Sequence, residues 1–175
     1  MNTIGQQIEN YVRELEAFVS DNDLPRSWFE VIDHAAFKFA SSSEFEDGVE
    51  SFRRMSDQIS SIRMNNRRLA TAKLHMSLMI GRFGAVKWVE LMEPRPEKIG
   101  KDYVGFEHVE FYYPNFNEVQ EVLDNKGILY EMQTNPGHNW VNIVINSEGQ
   151  ELKLNDRTLG DIVTHELDTG QSSII

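Results

Sequence analysis

Two acid-histidine pairs, Asp33-His34 and Glu107-His108, stand 74 positions apart (34 and 108), and each opens a segment that reads as a β-strand. The order that follows each pair is the same. After Asp33-His34-Ala35-Ala36-Phe37, the run Ser41-Ser42-Ser43 with Glu44, Glu46 and Asp47 has the composition of a helix N-terminus. That helix is expected to run to about Ile59, with strands over 68–80 and 85–92 separated by Gly81 and Gly84. After Glu107-His108-Val109-Glu110-Phe111, a helix is expected from Asn117 to Lys126, closed by Gly127, and then strands near 128–133, 139–146 and 150–155. Identity between the copies is weak, so the order of elements carries the repeat. The chain therefore reads as α+β, with two tandem βαβββ modules facing one cleft.

An amphipathic helix precedes the repeat. Ile4, Ile8, Tyr11, Val12, Leu15, Phe18 and Val19 fall on one stripe at spacings of three and four, and the helix stops near Asp21-Asn22-Asp23-Leu24-Pro25. The expected organisation is an N-terminal helix over 1–24, a first module over 25–98, a second module with a terminal helix (Leu159 to Leu167) over 99–168, and a loose tail over 169–175. At 175 residues these parts form one compact unit.

Side chains alternate between the faces of a strand, so parity decides which of them can meet. In the first strand of the first copy, His34 and Lys38 lie opposite Phe37 and Phe39; in the second copy, His108, Glu110 and Tyr112 lie opposite Val109 and Phe111. In the last strands, Trp88, Glu90 and Met92 share one face, as do Glu151, Lys153 and Asn155. Four strands thus keep an apolar face for helices and turn ionisable groups to the other, which is either solvated or lines a polar cleft. His34 and His108 read equally as ordinary cleft histidines bonded to carboxylates. Trp88 and Tyr112 read as packing residues or as pocket lining.

Other chemistry is excluded by composition and motif. The formal charge of -11 opposes nucleic acid and anionic membranes, and the one basic cluster, Arg63, Arg67 and Arg68, reads as a solvated turn. With no cysteine there is no thiolate ligand or nucleophile, so any metal must use His, carboxylate or water. There is no phosphate loop, GxSxG elbow, HExxH or EF-hand pattern. Residues 1–19 lack a basic segment followed by an apolar core, and no stretch approaches the roughly 18 apolar residues of a membrane span, so a cytoplasmic protein is expected. Among the remaining histidines, His75 reads as structural or cleft-lining. His138, in the turn-like Asn135-Pro136-Gly137-His138-Asn139, and His165, in the terminal helix, read as exposed.

The order of elements, with a histidine on the first strand of each module and Glu90 on the last strand of the first, resembles the vicinal-oxygen-chelate superfamily, which includes glyoxalase I and extradiol dioxygenases. More narrowly, Asp33-His34, Lys73-Leu74-His75, Val89-Glu90-Leu91, Gly105-Phe106-Glu107-His108-Val109-Glu110, Glu148-Gly149 and Leu152-Lys153-Leu154 are similar to the YecM family within it. The likeness runs from about Pro25 to Glu166.

That resemblance implies metal ligands on the first and last strands of both modules, here His34, Glu90, His108 and Lys153. Lysine departs from the pattern, because an ammonium has no acceptor. His34, His108 and Glu90 remain as a two-histidine, one-carboxylate set for a divalent ion such as Zn, Fe, Mn or Ni, with Glu151 as a lesser substitute for the fourth ligand. The implied activity is Lewis-acid chemistry on a small oxygen-rich substrate, as a lyase, isomerase or dioxygenase. Lys153 and Glu110 would handle protons, and Lys38, Trp88, Tyr112 and Asn155 would contact substrate. The rival reading is a metal-free small-molecule binder in which Lys153 pairs with Glu90 or Glu110 and neutralises a pseudo-site. A partner-binding role has no motif behind it.

Overall fold

A computed structural model describes residues 3–64, 66–101, 103–135 and 138–175. The amphipathic N-terminal stretch forms α1 (Ile4–Asp21), which buries Ile8, Tyr11, Leu15 and Val19 and leaves Ile4 exposed. The first module follows as β1 (Ile32–Lys38), α2 (Ser42–Arg53), β2 (Ser56–Met64), β3 (Arg67–Met79) and β4 (Ala85–Met92). The second is β5 (Gly105–Tyr112), α3 (Phe116–Lys126), β6 (Glu131–Asn135), β7 (His138–Val144) and β8 (Glu151–Asn155), after which come α4 (Leu159–Asp168) and β9 (Ser173–Ile174).

Local chemistry explains the helix ends. Ser41 caps α2 by accepting from the amide of Glu44, Thr158 caps α4 through the amide of Asp161, and Gly127 closes α3 at φ 65°, a conformation that suits glycine. Helix α2 is shorter than the expected extent to Ile59. Ser56 Oγ bonds back to Phe52 O, and from Ser56 the chain is a strand rather than a continuation of the helix. Its serines obscure the strand pattern, and pairing with β3 decides the matter. Asn66, at φ 61°, lies in the connection between the two strands.

The strands form one sheet in the order β6-β7-β8-β5-β1-β4-β3-β2-β9. Within each module the first strand pairs in parallel with the last, β1 with β4 and β5 with β8, and the modules join through the antiparallel pair β1 and β5. The apolar faces of these central strands, including Ala35, Phe37, Val89, Val109, Phe111 and Leu152, belong to the main core with residues of α1, α2 and α3.

Residues 173–174, expected in a loose tail, pair instead with β2: Ser60 faces Ile174 and Ser61 faces Ser173. The C-terminal segment thus runs from β8 in the second module to the outer edge of the first. Ile62 of β2, Thr71 of β3, Gln133 of β6 and Trp140 of β7 all line one cleft of about 820 Å³, so the wings of the sheet curl towards each other. Leu159 and Ile162 of α4 line the same cleft.

Candidate metal centre

Regular alternation would send Asp33 and His34 to opposite faces, and likewise Glu107 and His108. Two register shifts between β1 and β5 prevent this: Asp33 is the extra residue in the first and Glu107 in the second. Each acid is brought beside the histidine that follows it. Asp33 Oδ2 lies 2.8 Å from His34 Nδ1, and Glu107 Oε2 lies 3.1 Å from His108 Nδ1, with all four side chains buried.

The bulges are held from outside the sheet. Asp33 Oδ2 also accepts from the amide of Leu159, tying the start of α4 to His34. On the other bulge, Gln7 Oε1 accepts from Phe106 N at 3.0 Å, and the Tyr11 hydroxyl accepts from Val109 N at 2.9 Å while donating to Glu151 O at 2.7 Å. Helix α1 therefore supplies the hydrogen bonds that flank Glu107 and His108. Burial, with the nearby charges of Glu151 and Glu107, pushes the Tyr11 hydroxyl pKa up, so it stays a neutral donor.

Sheet register then sets the row. Ala36 of β1 has Glu90 of β4 on one side and His108 of β5 on the other, and its small side chain leaves space between them. One ligand atom each from His34, Glu90 and His108 lies within 4.8 Å of the other two. An ion about 2.1 Å from each donor sets them roughly 3 to 3.5 Å apart. The two imidazoles meet edge to face, with ring centroids 5.7 Å apart.

The two histidines differ in charge. Burial opposes a proton on His34, but Glu110 and Asp33, with Glu90 beyond them, outweigh it and lift the pKa to about 9, so a metal ion at His34 has to displace that proton. His108 is held down at about 3 by burial and by Lys153, against the pull of Glu107. Its Nδ1 hydrogen faces Glu107, and its Nε2 is buried with no hydrogen-bond partner among the described residues. That orphaned lone pair fits a metal donor, and the Glu107 bond fixes its tautomer.

Glu110 lies between the rings, its Oε2 3.5 Å from His34 Nε2 and 3.9 Å from His108 Nε2. Asn155, fully buried, donates to Glu110 Oε1 and accepts from Arg157 N at 2.6 Å. Lys153 Nζ stands 3.4 Å from Glu151 Oε2, and among the described residues no ion pair joins it to Glu90 or Glu110. Burial lowers the Lys153 pKa, but Glu107, Glu151, Glu110 and Glu90 more than offset this and raise it, which keeps the ammonium charged. Lys38 forms an ion pair with Glu107.

The other expected contacts divide. Lys38 and Lys153 line the cleft, whereas Trp88, Tyr112 and Asn155 are not among its lining residues. The Trp88 indole packs under α4, where a Cβ at Gly160 would come within 3.0 Å of Nε1, and Lys73 sits over its ring. His138 corrects the turn reading: it opens β7, half-buried, with its ring 4.7 Å from that of Trp140, and it lines the cleft. Pro136 and Gly137 of that turn lie outside the described residues. His165 is exposed on α4 at the cleft rim, and His75 is exposed beside Asp57 at 2.5 Å, away from the cleft. Sequence parity misses Asp33 and Glu107 as orienting groups; their signal is the acid beside each histidine.

Comparison with known proteins accords with this architecture. No curated protein matches the chain. Among solved structures, a structural-genomics protein designated Protein EC4020 superposes with a TM-score of 0.76 at 19% identity, covering 93% of this chain and 91% of its own. A methylmalonyl-CoA epimerase from Mycobacterium tuberculosis superposes with a TM-score of 0.53 at 13% identity, over 80% of this chain and 96% of its own. A methylmalonyl-CoA epimerase in complex with methylmalonyl-CoA and NH4+ does so with 0.51 at 20% identity, over 72% and 93%. These likenesses identify the fold as that of the vicinal-oxygen-chelate superfamily. The family described as YecM protein matches residues 1–165, and on that match this chain belongs to the YecM family.

Proposed function

We propose that this chain binds a divalent metal ion through His34, His108 and Glu90 and acts on a small molecule bearing vicinal oxygens. The observation that carries the reading is His108 Nε2, buried without a hydrogen-bond partner among the described residues while Glu107 holds the opposite ring nitrogen. An unsatisfied buried acceptor costs about 1–3 kcal/mol, and a cation at that point removes the cost.

When bound, the ion supplies a Lewis acid for the substrate's oxygens. The chain's own groups complete the site. In this reading Glu110, hydrogen-bonded by Asn155, accepts a proton from substrate and returns it. Lys38 and Lys153, each beside a glutamate, bring positive charge to the cleft floor for an anionic oxygen. Leu159 and Ile162 add an apolar boundary that limits water. Isomerisation, lyase chemistry and oxygenation are the reaction classes such a site serves. The pairing of Lys153 with Glu151 supports this reading over a lysine-neutralised pseudo-site.

Elemental analysis of tag-free protein, purified without chelators, tests the proposal. Wild type is expected to carry close to one Zn, Fe, Mn or Ni ion per chain, or to take one up on titration, and His108→Ala is expected to lose it. An unchanged metal content in His108→Ala sinks the assignment, as does a wild type that neither holds nor takes up an ion.

A further inference from the structure

The neighbouring arginines Arg67 and Arg68 have different fates. Arg68 pairs with Glu93, just past β4, at 2.8 Å and with Glu46 of α2 at 3.0 Å. Arg67, one position earlier on β3, has the opposite parity and lines the cleft with Leu69 and Thr71. Among the described residues no carboxylate pairs with it.

Two further cations join Arg67 at that end. The ladder between β3 and β4 pairs Leu69 with Met92 and continues through Glu93 N to Arg68 O at 3.0 Å, so Arg95 leaves β4 beside the start of β3. Lys98 follows at the end of the single turn Pro96–Lys98. Both line the cleft, and neither has a carboxylate partner among the described residues. Arg53 and Arg54, on the outer surface, each reach Glu50. In a chain of 28 acidic residues, three cations with no carboxylate partner among the described residues, at one end of a cleft, form a local reversal of charge. Such a cluster focuses the field of a cleft on anions, and guanidinium groups match phosphate and carboxylate oxygens.

The floor between this cluster and the histidines is partly apolar, with the Lys38–Glu107 pair beside Met92. Ala36, Leu69 and Met92 form a small hydrophobic cluster apart from the main core, with Ile62 packed against it. Thr71 pairs with Glu90, and Arg67 lies four residues away along β3, roughly 13 Å at the rise of a strand. The cleft thus has an oxygen-binding end, a middle with an apolar strip beside the Lys38–Glu107 pair, and a cationic end.

We infer that Arg67, Arg95 and Lys98 form a subsite for a multiply charged anionic group, phosphate or paired carboxylates. The ligand carries this group on an apolar spacer about 10 Å or more from its oxygen-bearing head. The position of the head rests on the proposed metal function; the anion subsite stands on its own residues.

Isothermal titration calorimetry on full-length, chelator-treated protein tests it, with inorganic pyrophosphate and malonate as separate probes in low salt and at about 150 mM salt. Saturable one-site binding of at least one probe is expected, with the tighter probe identifying the anion class. The double variant Arg67→Gln, Arg95→Gln is expected to weaken it about tenfold or more. The outer-surface variant Arg53→Gln, Arg54→Gln and the variant His108→Ala are each expected to stay within about twofold of wild type. No saturable binding of either probe overturns the inference, and so does an equal loss in the two arginine variants. Metal content measured on the same variants before chelator treatment separates the two ideas. If His108→Ala keeps its metal, the metal reading falls while the subsite stands; if the cleft double variant binds pyrophosphate and malonate as wild type does, the subsite falls while the metal reading stands.

Discussion

The carboxylate of Glu107 lies 3.1 Å from Nδ1 of His108, the next residue in the chain, because a bulge in β5 brings both side chains together where a regular strand would separate them. Asp33 and His34 repeat the arrangement in β1 at 2.8 Å. The two bulges fall in the same pair of strands, and each presents an imidazole whose far nitrogen points towards the shared row. The repeat thus reproduces a histidine together with the acid that orients it.

Replacing Glu107 with Gln is expected to weaken metal affinity by about 10- to 100-fold while the protein remains folded, because the ring loses the charged acceptor that sets its tautomer. Competition against a chromogenic chelator measures the affinity, and circular dichroism checks the fold. Asp33→Asn is expected to act in the same direction through His34. Affinity equal to wild type in both variants removes the orienting role assigned to the acids.

Much of this arrangement is legible in the amino-acid sequence. The apolar stripe and caps give α1, α3 and α4 nearly to the residue, and strand parity alone puts His34 and His108 on faces opposite the phenylalanines. What parity cannot reveal is a bulge, so Asp33 and Glu107 are not legible as partners of the imidazoles. Strand β2 escapes because its serines carry little β propensity and hide the apolar alternation that marks a strand, although it pairs with β3 across a short connection. The different fates of Arg67 and Arg68 depend on where β3 begins, which the sequence leaves open by several residues.

Removing the metal is expected to lower thermal stability. An ion that binds only the folded chain adds about 3 kcal/mol when present at a hundredfold excess over its dissociation constant. Differential scanning fluorimetry should therefore show a fall in Tm with chelator, recovered by adding back the divalent ion. In His108→Ala neither change should occur. A wild-type Tm indifferent to both chelator and added ions counts against the centre.

Tyr11→Phe is expected to destabilise the fold by about 1–3 kcal/mol. It removes one hydroxyl but leaves two buried groups, Val109 N and Glu151 O, without their partner. Because both lie on the strands that carry His108 and Lys153, metal affinity should fall with stability. Urea unfolding followed by tryptophan fluorescence gives the first quantity, and chelator competition gives the second. A loss below about 0.5 kcal/mol would show that water replaces the hydroxyl.

Acid stability offers a check away from the cleft. The Arg68 guanidinium bonds both oxygens of Glu93, and although burial works against the charge, this pairing with help from Ser42 and the Arg68 amide holds the carboxyl at about 2, below its ordinary 4.5. The folded form thus binds the Glu93 proton more weakly than the unfolded form. The resulting stability is complete above about pH 4.5 and is lost as the pH falls towards 2. Arg68 is 34% exposed, so solvent screening reduces the contribution to the order of 1–2 kcal/mol. Glu93→Gln should therefore be less stable than wild type at neutral pH by about that amount, and the gap should close between pH 4.5 and 2. Urea titrations of both proteins across this range measure the difference directly, and a gap that stays constant with pH would mean that Glu93 stabilises the fold through its shape and neutral hydrogen bonds rather than its charge.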